Sequence, residues 1–116
     1  MKLHEVETYT ATIYVGTSDS LRNSDEYWLG HRLCQTYCDA VGLCVSIKQT
    51  RFIYTGGNEY GLEIFLMDYP RFPSDKDTIR RHAIQLATNL KRELKQKRVS
   101  VVFPDKTIML GEMDNG

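Results

Sequence analysis

No stretch of this 116-residue chain comes near the ~20 consecutive apolar residues that a membrane-spanning helix requires. A dominant charge is missing too. Fifteen Lys and Arg balance fifteen Asp and Glu, so there is no long-range basic field to draw the molecule onto duplex DNA, although a local basic pocket stays open. The opening residues, Met1-Lys2-Leu3-His4-Glu5, are too polar for a secretory signal. The expectation is an intracellular, cytoplasmic protein. Cys34, Cys38 and Cys44 are an odd number of cysteines. In a reducing compartment such thiols act as small buried apolar groups rather than as disulfides.

Catalytic signatures are equally scarce. Nucleophilic catalysis needs an activated nucleophile, a base within reach and a group that orients the base. The three histidines, His4, His31 and His82, stand in no such motif. Acidic residues are scattered, without the paired spacing of a metal or glycosidase site. There is no P-loop Lys-Ser/Thr and no GxGxxG motif. His31, Cys34 and Cys38 fall at helical spacing, but both cysteines lie on the apolar side of that helix. Core packing is therefore favoured over metal binding. No metal, no cofactor and no enzymatic activity are expected.

What is present is a regular alternation of elements. Val6 to Val15 alternates, with Tyr9, Ala11, Ile13 and Val15 on one face and Thr8, Thr10, Thr12 and Tyr14 on the other, the period of a strand buried on one side. A polar loop follows at 16–23. Ser24 is a plausible N-cap, with Asp25 and Glu26 in the first turn. Leu29, Leu33, Tyr37 and Val41 mark an amphipathic helix that Gly42 terminates. Leu43 to Phe72 reads as a hairpin, with turn chemistry spread over 55–61. Gly56-Gly57-Asn58 could cradle an anion, but within a hairpin the turn reading is preferred. Ser74, followed at N3 by Asp77, resembles a capping box. Ile79, Ala83, Leu86, Ala87, Leu90 and Leu94 form the apolar stripe of a second helix, with Arg80, Arg81, Lys91, Arg92 and Lys95 off it, and the helix is expected to end near Gln96 or Lys97. Val99 to Phe103 is a strong strand, 107–110 a short return strand, and 111–116 a polar tail. One domain of order β-α-β-β-α-β-β is predicted. This is an α+β, ferredoxin-like arrangement with an extra C-terminal strand and both helices on one face of an antiparallel sheet.

The ligand-facing residues expected from this layout are few. Arg98 enters an apolar strand, where its direction is fixed and its guanidinium suits a phosphate. Tyr69-Pro70-Arg71-Phe72-Pro73 holds Arg71 and Phe72 between stiff prolines. Phe72 is either a ring for stacking on a base or a lid on the core. Tyr54 and Asn58 come from the hairpin, and Arg22 from the polar loop, where a second anion site would be sought.

ATIYVG at 11–16, LCVSIKQTRFIYTGGNEYG at 43–61, DYPRFP at 68–73 and RVSVVFPDKTIML at 98–110 together resemble small phage-encoded proteins, the anti-Thoeris sponges of the first type. The resemblance implies a viral anti-defence protein that sequesters a cyclic ADP-ribose isomer from a TIR-domain sensor without cleaving it, and in some members of the family cyclic oligonucleotides in separate sites. It also implies a homo-oligomer with pockets between subunits, Arg98 on the ligand phosphate and Phe72 on the adenine. Two other classes remain open: a ferredoxin-like oligomer with a protein partner, and an enzyme that cleaves a nucleotide.

Overall fold

The computed structural model describes residues 1–17 and 24–112; the predicted site residue Arg22 and the last four residues lie outside these. The elements follow the predicted order: β1 (Thr10–Gly16), α1 (Ser24–Val41), β2 (Val45–Tyr54), β3 (Gly57–Met67), α2 (Lys76–Glu93), β4 (Arg98–Val102) and β5 (Thr107–Gly111). The sheet is antiparallel throughout, in the order β2-β3-β1-β4-β5. This is the ferredoxin-like arrangement with β5 added outside β4. No helix among the described residues is long and apolar enough to cross a membrane.

Alternation along the strands sorts their side chains into two layers. Ala11, Ile13 and Val15, with Leu62, Ile64 and Leu66 and with Val99 and Val101, face the helices and are almost wholly buried. Ile79, Ala83, Leu86, Ala87 and Leu90 meet them from α2 at zero exposure, the stripe that the 3.6-residue period predicts. α1 approaches most closely at Gly30, where an added Cβ would stand 2.7 Å from Leu62 Cδ1. Cys34, one turn on, is buried. The buried line of α1 thus runs through Gly30 and Cys34, with Leu29 and Leu33 half-buried beside it, while Val41 is 41% exposed.

β1 begins at Thr10 rather than at Val6, and three further boundaries differ from expectation for local reasons. The hairpin turn is only Thr55-Gly56, with Gly56 at φ +90°, and Tyr54 pairs directly with Gly57. Residues 57–61 belong to the ladder, so their glycines serve packing rather than the turn. The N-cap of α2 is Asp75, whose carboxylate accepts from Thr78 N at 2.7 Å. Ser74 N instead donates to Asp68 Oδ1 at 2.8 Å. α2 also ends earlier than predicted, because Lys95 takes a left-handed φ of 56°. Gly42 closes α1 as expected, at φ +77° with its N–H on Cys38 O.

Candidate functional site

Both helices cover one side of the sheet, so the other side carries its own side chains uncovered. At the end of that face where Gly16, Arg98 and Gly111 lie, the side chains part into an open groove of about 430 Å³. Tyr14, Gly16, Phe52, Glu59, Arg98, Ser100, Val102 and Thr107 line it.

Its shape comes from glycine. Gly16 and Gly61 are directly opposed on β1 and β3, and the side-chain layer is thinnest beside Gly16. A Cβ on Gly61 would fall within the Phe52 ring and 2.7 Å from Val15 O, so Phe52 lies across β3 in space that only glycine leaves. From there it meets Tyr14 edge-on, with ring centroids 5.8 Å apart. Tyr54 repeats the device one step out, lying over Gly57. Around Gly16 the environment is polar: an added Cβ would stand 3.0 Å from Gln96 Oε1 and 3.1 Å from Glu59 Oε2. The groove thus has a flat backbone floor, two aromatic walls, a carboxylate, hydroxyls from Ser100 and Thr107, and the Arg98 guanidinium.

Of the predicted site residues among those described, only Arg98 lines this groove. Tyr54 shares the open face but sits at the hairpin tip, 55% exposed. Asn58 lies on the opposite face, where its side-chain oxygen accepts from Arg51 Nε at 3.0 Å and Nη2 at 2.6 Å. Phe72 is at the far end of the sheet, in a cleft of about 220 Å³ beside α1 with His31, Cys34, Cys38 and Cys44. Arg71 stacks over its ring at 5.1 Å. One chain therefore does not bring Phe72 and Arg98 together.

Two other hollows among the described residues are less suited to a ligand. A larger hollow, about 710 Å³, lies between the N-terminal segment and the start of α2, and two of its three carboxylates are occupied structurally: Asp68 accepts from Ser74 N and Asp75 caps the helix. Two of the three thiols of the small cleft are poor nucleophiles. Burial, and to a lesser degree Cys38 nearby, push Cys34 up to about 12, and burial also raises Cys38. Among the described residues no group of three or more His, Cys, Asp or Glu is placed to hold a metal ion. Arg80, expected on the solvated face, is instead half-buried, bonded to Tyr9 Oη and Asp105 Oδ1 at 3.1 Å each and lying over the Phe103 ring.

A two-layer α+β domain with a glycine-floored groove on its uncovered sheet face is the class of protein that these features define. Two solved structures share the fold over nearly the whole chain. One is a phage SAM lyase in its apo state, 18% identical, with a TM-score of 0.66 over 93% of this chain and 92% of that one. The other is a phage SAM lyase in complex with S-methyl-5'-thioadenosine, 16% identical, with a TM-score of 0.71 over 97% and 95%. No protein-family model matches the chain, and no curated protein matches it in sequence. The likeness to small phage proteins thus holds for the fold, and the matched proteins are lyases, not sponges. The expectation of no enzymatic activity is corrected by the same finding. The fold onto which it was read is that of an enzyme, and missing nucleophile–base motifs carry no weight against catalysis in such a fold.

Proposed function

We propose that this protein binds S-adenosylmethionine in the open-face groove and cleaves it as a lyase. The observation that carries the reading is the end-to-end fold match, at a TM-score of 0.71, to a phage SAM lyase holding S-methyl-5'-thioadenosine. The groove's chemistry supports it. Tyr14 and Phe52 provide faces for adenine or the sulfonium, Ser100 and Thr107 provide hydroxyls for the ribose, and Arg98 suits the methionine carboxylate.

The reaction makes modest demands on the protein. The sulfonium is already a good leaving group. The bond between sulfur and the methionine γ-carbon breaks, and its electron pair stays on sulfur, leaving neutral S-methyl-5'-thioadenosine. A carboxylate oxygen of the same molecule closes on the γ-carbon to form a five-membered lactone. Charge balances, because the positive charge lost at sulfur is matched by the negative charge lost at the carboxylate. No water, external base or cofactor enters the balance. The protein contributes folding of the substrate into a near-attack shape, worth several orders of magnitude in such intramolecular closures. That explains how a lyase could operate here without a triad.

The groove is open on its solvent side. We place a second copy of the chain there, making the working form a homo-oligomer. Only from another copy can Phe72 or Arg71 approach this groove, which lies at the other end of the sheet.

Incubation with S-adenosylmethionine followed by mass spectrometry tests the reading. Protein-dependent appearance of S-methyl-5'-thioadenosine, abolished by heat treatment, is expected. A cyclic ADP-ribose isomer offered in parallel shares the adenosine but has no sulfonium to expel. Unchanged S-adenosylmethionine, with that isomer recovered intact on denaturation, would overturn the lyase reading in favour of sequestration. Light scattering of the purified protein tests the oligomer, and a monomer would remove the second copy from the site.

A further inference from the structure

We infer that Glu59 makes the groove select the positively charged sulfonium over neutral thioethers, an inference that rests on reading the groove as an adenosyl-sulfonium site. Three observations meet at one point. Gly16 stands opposite Gly61, which the Phe52 ring covers, so the side-chain layer is thinnest beside Gly16. Two oxygens converge there, Gln96 Oε1 and Glu59 Oε2, at 3.0 and 3.1 Å from where a Cβ would stand. The rings of Phe52 and Tyr14, 5.8 Å apart, line the same groove.

Each part suits a cation. Gln96 Nε2 donates to Leu94 O at 3.0 Å, which turns the amide so that its oxygen, not its nitrogen, faces Gly16. Glu59 makes no hydrogen bond or ion pair with another described residue, so its charge is available to a ligand. Tyr14 and Phe52 line the same groove, and an aromatic face carries the negative end of its ring's quadrupole. A sulfonium has no N–H or O–H to donate, so donor-seeking sites discriminate it poorly. Oxygens and ring faces around a small hollow recognise it by charge alone. A neutral thioether of the same shape gains little from Glu59.

The consequence for turnover is directional. When the carbon–sulfur bond breaks, the positive charge leaves the sulfur and the attraction of Glu59 lapses. The product is then held by its adenine and ribose only. A site that held substrate and product equally would be blocked by the thioadenosine it makes.

Calorimetric titration with three adenosyl ligands tests the assignment: sinefungin, which is cationic at the sulfur position and has no leaving group, and the neutral S-adenosylhomocysteine and S-methyl-5'-thioadenosine. The wild type should bind sinefungin about tenfold more tightly than S-adenosylhomocysteine, as a half-buried cation–carboxylate contact with ring faces provides. In Glu59→Gln, which keeps size and shape, that ratio should fall to about one, with S-adenosylhomocysteine affinity within about twofold of wild type. A ratio unchanged in Glu59→Gln overturns the inference and leaves the adenosyl site standing. Loss of all three ligands in a Glu59→Gln protein with wild-type melting overturns it too, because Glu59 would then be holding the ribose. A wild type that binds none of the three removes the adenosyl site and the inference together.

Discussion

Gly61 and Phe52 form one packing unit, since the ring occupies the space of the missing Cβ. Gly61→Ala must displace the ring or press on Val15 O, a small-to-large change that typically costs about 1–3 kcal/mol. Urea unfolding should show that loss, and the groove should lose ligand binding along with Phe52's position. Gly16→Ala is milder, because its neighbours are the ends of flexible side chains at 3.0–3.2 Å. It should leave stability within about 1 kcal/mol while filling the hollow, so its readout is ligand affinity. Cys34 gives an independent check on the core. With its thiol pushed up to about 12 by burial, it should stay protonated and resist iodoacetamide at pH 8 in the native protein, then label at once on unfolding. These residue-scale features were hard to foresee. Gly57 and Gly61 sit next to Thr55-Gly56, where turn chemistry and space for a ring look identical in a sequence. Only the register, Tyr54 on Gly57 and Arg51 on Tyr60, separates the two roles.

At the scale of elements, α1 and α2 meet through a polar contact as well as apolar ones. Tyr37 Oη lies 2.7 Å from His82 Nδ1, with the two rings edge-on. Burial, helped by Arg81, holds His82 below its usual 6.5, and burial raises Tyr37. The unfolded chain therefore takes up the proton more readily than the folded one. The stability that this group contributes is present above pH 6.5 and is lost as pH falls through the lowered folded value. Thermal melts should drop as the pH falls below 6.5, and His82→Gln should flatten that dependence. The element order itself was legible because β1 and α2 each bury one side completely. Ala11, Ile13 and Val15 alternate, and Ile79, Ala83, Leu86, Ala87 and Leu90 recur at helical spacing. α1 was less so. Its closest approach runs through Gly30, which carries no apolar signal, so the stripe appeared to centre on Leu29 and Leu33.

For the whole molecule, two layers rather than three leave one sheet face free, and that face carries the groove. The chain order shows that a face is left over but not where it opens. Arg98 was visible from its place at a strand entrance, whereas Tyr14, Phe52 and Glu59 come from three strands that meet only in the fold. Phe72 drew attention for its flanking prolines, yet those prolines turn the chain beside α1, away from Arg98. If the groove is the adenosyl site, sinefungin at ~100 times its dissociation constant should stabilise the protein by ~2.7 kcal/mol, a melting shift on the order of 10 °C. Arg98→Ala should reduce that shift without lowering the melting point of the free protein by more than about 2 °C, since the residue is exposed.

The placing of β5 has a practical side. Gly111, its last residue, pairs with Arg98, so β5 ends beside a residue that lines the groove. Tyr9, just before β1, bonds to Asp68 at the other end. A fluorophore, bead or fusion partner joined after residue 112 would therefore stand beside Arg98 and the groove, while one attached through the segment before Tyr9 would leave the groove free. Immobilised by the two ends in turn, the same protein should give two different association rates for the same small molecule.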